Sequence, residues 1–160
     1  RDQKSVDLAI KEFEEDMPME SSILMSKMDR INACFGHNSV EKIAEELGSF
    51  ADNGDKWCAE QKKAMAKGSP TSLKVNLELL RRGKSLTLNE CLKMEYRLLT
   101  RFMEGSDFYE GVRAILVDKD FKPTWNPATL DQVTSDTVSE HFAQLPSGEE
   151  LDLPLKPAKL

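Results

Sequence analysis

Residues 69–127 read SPTSLKVNLELLRRGKSLTLNECLKMEYRLLTRFMEGSDFYEGVRAILVDKDFKPTWNP, three successive helix signals followed by an exit rich in proline and tryptophan. Ser69 predicts an N-cap with Pro70 at the first helical position, where a missing N–H costs nothing. Leu73, Leu77 and Leu80 follow at i, i+4 and i+7 until Gly83, with Lys74, Glu78, Arg81 and Arg82 on the other face. Thr87 and Glu90 form an S/T-x-x-E capping box for a second helix. Its apolar face is read as Leu88, Cys91, Leu92, Leu99, Phe102 and Met103, with Gly105 at its end. Asp107 and Glu110 repeat the box for a third helix, with Phe108, Val112, Ile115 and Leu116 apolar, and Pro123 and Pro127 forbid further helix.

Upstream, Ser5 is read as the cap of a helix with Val6, Leu8, Ile10 and Phe13 apolar, ended at Met17-Pro18. Its acidic run of Glu12, Glu14, Glu15 and Asp16 is a solvated face, since neighbouring helix positions point apart. Residues 22–35 predict a helix with Ile23, Leu24, Met28, Ile31 and Phe35 inward, closed by Gly36, where the methionines fill a core. Asn38 and Glu41 read as a capping box for a short helix with Val40, Ile43, Ala44 and Leu47 inward, stopped by Gly48, and residues 48–54 read as a loop. Asp55 caps a helix through Trp57, Cys58, Gln61, Ala64 and Met65, and Lys56, Lys62, Lys63 and Lys67 make its solubilising face. Downstream, Leu130 and Val133 mark a packed turn, and Ser135 or Asp136 caps a last helix through Val138, His141 and Phe142. Residues 1–145 are thus read as one mainly α region of about seven helices. Residues 146–160 form an exposed tail, in which Leu151, Leu153 and Leu155 alternate as in a docked strand.

A chain of 160 residues is long enough for one domain with a modest core. The net charge of −6 and pI near 5.1 argue against nucleic acid or an anionic membrane as the main partner. No apolar run reaches the length that spans a bilayer. Cys34, Cys58 and Cys91 are odd in number, far apart and outside any C-x-x-C, as in a reducing compartment.

The candidates for chemistry are few. His37 and His141 have no carboxylate or cysteine at ligand spacing and read as surface histidines. Cys91 falls on the buried face of its helix and reads as packing. Asp118 and Asp120 flank Lys119 in a D-x-D spacing, but two carboxylates without further oxygen ligands do not make a cation site, and a solvated helix end accounts for them equally well. Capping accounts for Asp107 and Glu110. No catalytic residue and no metal site is assigned to this segment. The chain ends Ala158-Lys159-Leu160, close to the S-K-L address that a peroxisomal import receptor reads.

Four blocks in order, SPTSLK (69–74), EYR (95–97), DFYEGVRAILVDKD (107–120) and PTWNP (123–127), with MDRINACF (28–35) upstream, resemble the C-terminal part of the 3-hydroxyisobutyryl-CoA hydrolase family. That family is a branch of the enoyl-CoA hydratase (crotonase) superfamily, and the likeness runs from about residue 23 to residue 144, nearest to plant-like peroxisomal members. The resemblance implies the C-terminal helical region of an α/β crotonase-like fold whose spiral of ββα turns lies upstream. It implies an acyl-CoA thioester substrate, no cofactor, and hydrolysis of a short branched hydroxyacyl-CoA in valine breakdown. Oxyanion-holding N–H groups and the working carboxylates are expected in an N-terminal crotonase core, with which this segment packs, so the segment alone is expected to be inactive. The start at Arg1 fits a portion of a longer enzyme. Two alternatives stand beside this: a non-catalytic crotonase-like assembly subunit, and an enoyl-CoA hydratase or isomerase, which the DKD-x-x-P-x-W-x-P ending disfavours. By position after the E-G-x-x-A helix, Lys119 matches the family's lysine that approaches CoA phosphates, and Lys122 can compensate for Asp120, where the family has a second basic residue. The peroxisome is the expected compartment, with the mitochondrion as the alternative.

Overall fold

A computed structural model describes residues 3–14, 18 and 22–152. The described residues hold helices, turns and irregular segments and no strand, as the helical reading expected. The chain divides into two compact units, residues 1–36 and residues 37–160.

In the first unit, α1 spans Gln3–Lys11 and α2 spans Ile23–Phe35. Ser5 therefore lies inside α1 rather than capping it, and Val6, Leu8, Ile10 and Phe13 are exposed. Ser22 stands at the N-cap of α2 and Gly36 at its end, as expected; Cys34 is fully buried, while Ile23 and Leu24 are exposed. Glu15, Asp16 and Met17 lie outside the described residues, as do Leu153, Leu155 and the terminal Ala158, Lys159 and Leu160.

The second unit begins with α3 (Val40–Asp52) and α4 (Lys56–Met65). The cap of α3 is Ser39, whose hydroxyl accepts from Lys42 N at 3.2 Å, and not Asn38, whose carboxamide oxygen instead accepts from Arg81 at 3.1 Å. Nor does Gly48 stop the helix. It lies buried within α3, where a missing side chain leaves room for Lys62 of α4 against the backbone, so α3 continues through most of the expected loop. Val40, Ile43 and Leu47 face inward as read, and Asp55 caps α4 by accepting from Cys58 N at 3.1 Å.

Helices α5 (Pro70–Gly83), α6 (Leu88–Glu104) and α8 (Ser135–His141) enclose a core of Val75, Met94, Leu98 and Phe142, flanked by Leu79, Leu86, Phe102 and Val138. Both predicted starts hold. Ser69 accepts from Ser72 N at 3.2 Å, and in the Thr87–Glu90 box Thr87 N donates to Glu90 at 2.7 Å. The buried stripe of α6 is rotated from the expected one. Met94 and Leu98 are inside, whereas Leu99 is 52% exposed and Leu88 and Met103 are also outside. Leu98 and Leu99 are adjacent in sequence, so a small error in helical phase exchanges them. Arg82 lies over the Phe142 ring, 4.1 Å from its centroid, roofing this core.

After α6 come the short α7 (Asp107–Val112), a π-helical turn (Arg113–Val117), an extended stretch and a 3-10 turn (Leu130–Gln132) that places Val133 in the core as expected. Thr134, rather than Ser135 or Asp136, caps α8 by accepting from Thr137 N at 3.1 Å. Beyond it, Glu150 binds Arg97 Nε with both carboxylate oxygens, at 2.8 and 2.9 Å, and accepts from Leu145 N at 2.8 Å.

The corrected phase of α6 is testable. Leu98→Ala is expected to cost about 2–5 kcal/mol in urea unfolding and Leu99→Ala less than about 1 kcal/mol; the reverse order would restore the phase read from the sequence.

Candidate functional site

The D-K-D turn that carries Lys119 is built around one guanidinium. Arg113, the first residue of the π-helical turn, donates from Nε and Nη2 to the two carboxylate oxygens of Glu110, both at 2.8 Å. Nη1 reaches Asp118 at 2.6 Å and Asp120 at 2.7 Å, and Nη2 also donates to the carbonyl of Lys122 at 3.3 Å. All three guanidinium nitrogens are therefore engaged, in the fork geometry that a planar arginine supplies. Glu110 also accepts from Thr124 N at 2.7 Å, and Asp120 accepts from Lys122 N at 2.8 Å, so the chain beyond α7 folds back on the helix it has just left.

Asp107 fixes the far end of this segment. One carboxylate oxygen accepts from Ser69 Oγ at 2.6 Å and the other from Asn126 N at 2.8 Å. Trp125 donates from Nε1 to the carbonyl of Lys67 at 3.0 Å, and its ring packs against Gly111, where an added Cβ would stand 3.4 Å from it. Asp107 and Glu110 are consequently not caps. The N-cap of α7 is Ser106, without a side-chain cap bond, and both carboxylates are spent on tertiary contacts. Asp118 and Asp120 are not simply solvated either, since both face Arg113.

The electrostatics follow from this geometry. Hydrogen bonds from Arg113, then from Thr124 N, hold the Glu110 carboxyl down at about 2. Arg113, then Lys122 N, lowers Asp120, and Glu110, Asp120 and Asp118 together raise Arg113. Three carboxylates around one guanidinium leave an acidic cluster, whose excess charge Lys119 and Lys122 offset.

Lys119 and Lys122 are both exposed, and neither has a carboxylate partner among the described residues. Lys119 has φ 56° and Phe121 φ 55°, in the left-handed region that costs a non-glycine residue about 1–2 kcal/mol. Neither lysine lines the cavity of about 520 Å³ bounded by Thr71, Arg101, Phe102, Asn126 and His141.

The remaining candidates are placed as follows. His37 lies 3.8 Å from the Glu46 carboxylate, which the helical path of α3 brings near despite the wide sequence spacing. His141 holds its Nδ1 2.8 Å from the carbonyl of Thr137, with its ring 4.9 Å from that of Phe102. Cys91 is half-buried, near the carbonyl of Gly83. Among the described residues no group of three or more His, Cys, Asp or Glu side chains is arranged for a metal ion. The residue that sequence reasoning missed is Arg113. Its signal was present in three carboxylates, at 110, 118 and 120, grouped around a single arginine.

Residues 1–142 match the family described as enoyl-CoA hydratase/isomerase. The chain is 48% identical over 130 residues to human "3-hydroxyisobutyryl-CoA hydrolase, mitochondrial", covering 81% of this chain and 33% of that protein. It is 36% identical over 154 residues to "3-hydroxyisobutyryl-CoA hydrolase-like protein 5" of Arabidopsis thaliana, covering 93% and 40% respectively. A crystal structure of an enoyl-CoA hydratase from Rhodobacter sphaeroides 2.4.1 superposes with a TM-score of 0.77 at 28% identity, over 94% of this chain and 44% of that one. The chain spans about a third of the length of the first of these relatives.

The depressed Glu110 carboxyl gives a pH dependence with a definite sign. A carboxyl lowered from 4.5 to about 2 contributes stability that is fully present above 4.5 and is lost as pH falls through about 2. Carboxyl carbon shifts followed by NMR are expected to titrate near 2 in the wild type and to return towards 4.5 in Arg113→Met. A wild-type midpoint near 4.5 would show that the guanidinium does not hold the carboxylate.

Proposed function

This chain belongs to the enoyl-CoA hydratase/isomerase family, and from that premise we propose that it is the C-terminal helical part of a hydrolase acting on 3-hydroxyisobutyryl-CoA or a similar short branched hydroxyacyl-CoA of valine breakdown. The observation that carries the reading is the 48% identity to a protein of that name, over four-fifths of this chain. In this reading backbone N–H groups of an N-terminal crotonase core hold the thioester oxyanion, and an acidic residue there activates water or forms an anhydride. The helical part supplies no reacting group and needs no cofactor.

Its role is to pack on that core and to hold the nucleotide end of the substrate. Phe108, Ile115, Leu116, Val117 and Phe121 stand exposed together around the π-helical turn, apolar surface of the kind that another body covers. Lys119 is the residue we assign to the CoA phosphates, with Lys122 beside it in the same turn; an ammonium on a flexible stem meets phosphate as a mobile point charge.

For the compartment, the names of the mammalian relatives include "mitochondrial", which supports the mitochondrial alternative. The peroxisomal reading rests on Ala158-Lys159-Leu160, supported by the polar, proline-punctuated sequence before it and by the acyl-CoA chemistry proposed. Imaging the full-length protein with these three residues intact and deleted separates the two: peroxisomal signal that depends on them supports the tripeptide, and mitochondrial signal in both proteins removes it.

The activity is tested with the full-length protein that contains this chain, offered 3-hydroxyisobutyryl-CoA and, separately, a 2-enoyl-CoA. Release of free CoA thiol from the first substrate is expected. Hydration of the second without thiol release would make the protein a hydratase, and inertness towards both would favour the non-catalytic assembly subunit.

A further inference from the structure

We infer that Arg113 is a positioning residue, whose guanidinium fixes the turn that presents Lys119 to the phosphates of a CoA ester; this rests on the reading of Lys119 given above. Asp118 and Asp120 stand on either side of Lys119, and a single nitrogen of Arg113, Nη1, takes both of them, at 2.6 and 2.7 Å. Drawing the two neighbours to one point pinches the backbone and leaves the middle residue at φ 56° with its side chain exposed. The pinch is anchored to the helix behind it, because Nε and Nη2 of the same guanidinium are bound to Glu110 on α7. The exit is fixed too: Nη2 meets the carbonyl of Lys122, and Phe121 N donates to the carbonyl of Ala114 at 3.1 Å.

A left-handed lysine persists only where its surroundings over-determine it, and strained positions of this kind cluster at active sites and ligand clamps. Arg113 also neutralises part of the charge of Glu110, Asp118 and Asp120, which would otherwise repel a phosphate. The two effects are separable. A lysine at position 113 keeps the positive charge but lacks the planar fork, so it cannot hold Glu110 at two points and both aspartates at once.

The test is steady-state kinetics of the full-length protein on a CoA thioester and on the pantetheine thioester of the same acyl group, which lacks the nucleotide and its phosphates. Lys119→Ala is expected to raise KM for the CoA ester about tenfold, one charge-assisted contact's worth, and to leave the pantetheine ester unchanged. Arg113→Lys is expected to do the same, and the double variant to be no worse than either single one, because both remove one contact. Asp120→Asn, run beside them, loosens one arm of the cage with little change in volume. It is expected to raise KM for the CoA ester about threefold, whereas relief of charge repulsion alone would lower it.

If Lys119→Ala raises KM and folded Arg113→Lys does not, the positioning role is overturned and the reading of Lys119 stands. If Lys119→Ala changes nothing, the reading of Lys119 falls and the inference with it. Equal losses on both esters in Arg113→Lys would mark a general structural role and overturn the inference. Should Arg113→Lys not fold, an unchanged or lowered KM in Asp120→Asn overturns it instead.

Discussion

The turn that follows α7 is held by the forked contact of Arg113 with Glu110. A helix that ends in a π-helical turn leaves its last carbonyls and the following amides in need of partners, and two left-handed residues soon after it add strain. Both needs are met around one guanidinium: the carboxylates it holds accept from Lys122 N and Thr124 N, and its own donor reaches the Lys122 carbonyl. Charge assistance shortens the bonds, and the close spacing of the acceptors along the chain keeps the cost of ordering them small.

The same economy appears in how polar side chains near helix starts are used. Ser69 accepts from the first turn of α5 and donates to Asp107, so a local cap is also a tertiary joint. Core burial, by contrast, is modest: four residues form the central cluster of α5, α6 and α8, and several large apolar side chains lie outside it. Polar connections therefore carry much of the definition of this region. Apolar area is left for packing elsewhere, which agrees with a chain spanning about a third of the length of its relatives.

Features governed by local chemistry were legible in the sequence. Ser69 with Pro70, the Thr87–Glu90 box and Asp55 all stand where their short side chains can reach amides two or three residues on, and proximity along the chain suffices to find them. Features governed by competition between partners were not. Asn38 fitted a capping box with Glu41 by spacing, but Arg81, far along the chain, claims it, and Ser39 caps instead. Gly48 looked like a stop, because nothing nearby in sequence reveals that Lys62 will lie across it. Asp107 and Glu110 fit a capping box by spacing and serve Ser69, Asn126, Arg113 and Thr124 instead. At the candidate site Lys119 came from family likeness, while its support by Arg113 emerged only when the chain was seen to double back.

The Asp107 joint has a consequence for how the chain reaches this state. Its carboxylate ties together positions 38 residues apart, at Ser69, and 19 residues apart, at Asn126. The longer closure costs only about 0.6 kcal/mol more than the shorter, since loop entropy grows with the logarithm of length. Each oxygen is satisfied by its own closure, whereas the contacts among residues 110–124 need shorter loops still. On loop length alone the arginine-centred turn is expected to close before the corner at Asp107, which waits for α5. Substitutions at that corner would then act on the rate of unfolding far more than on the rate of folding.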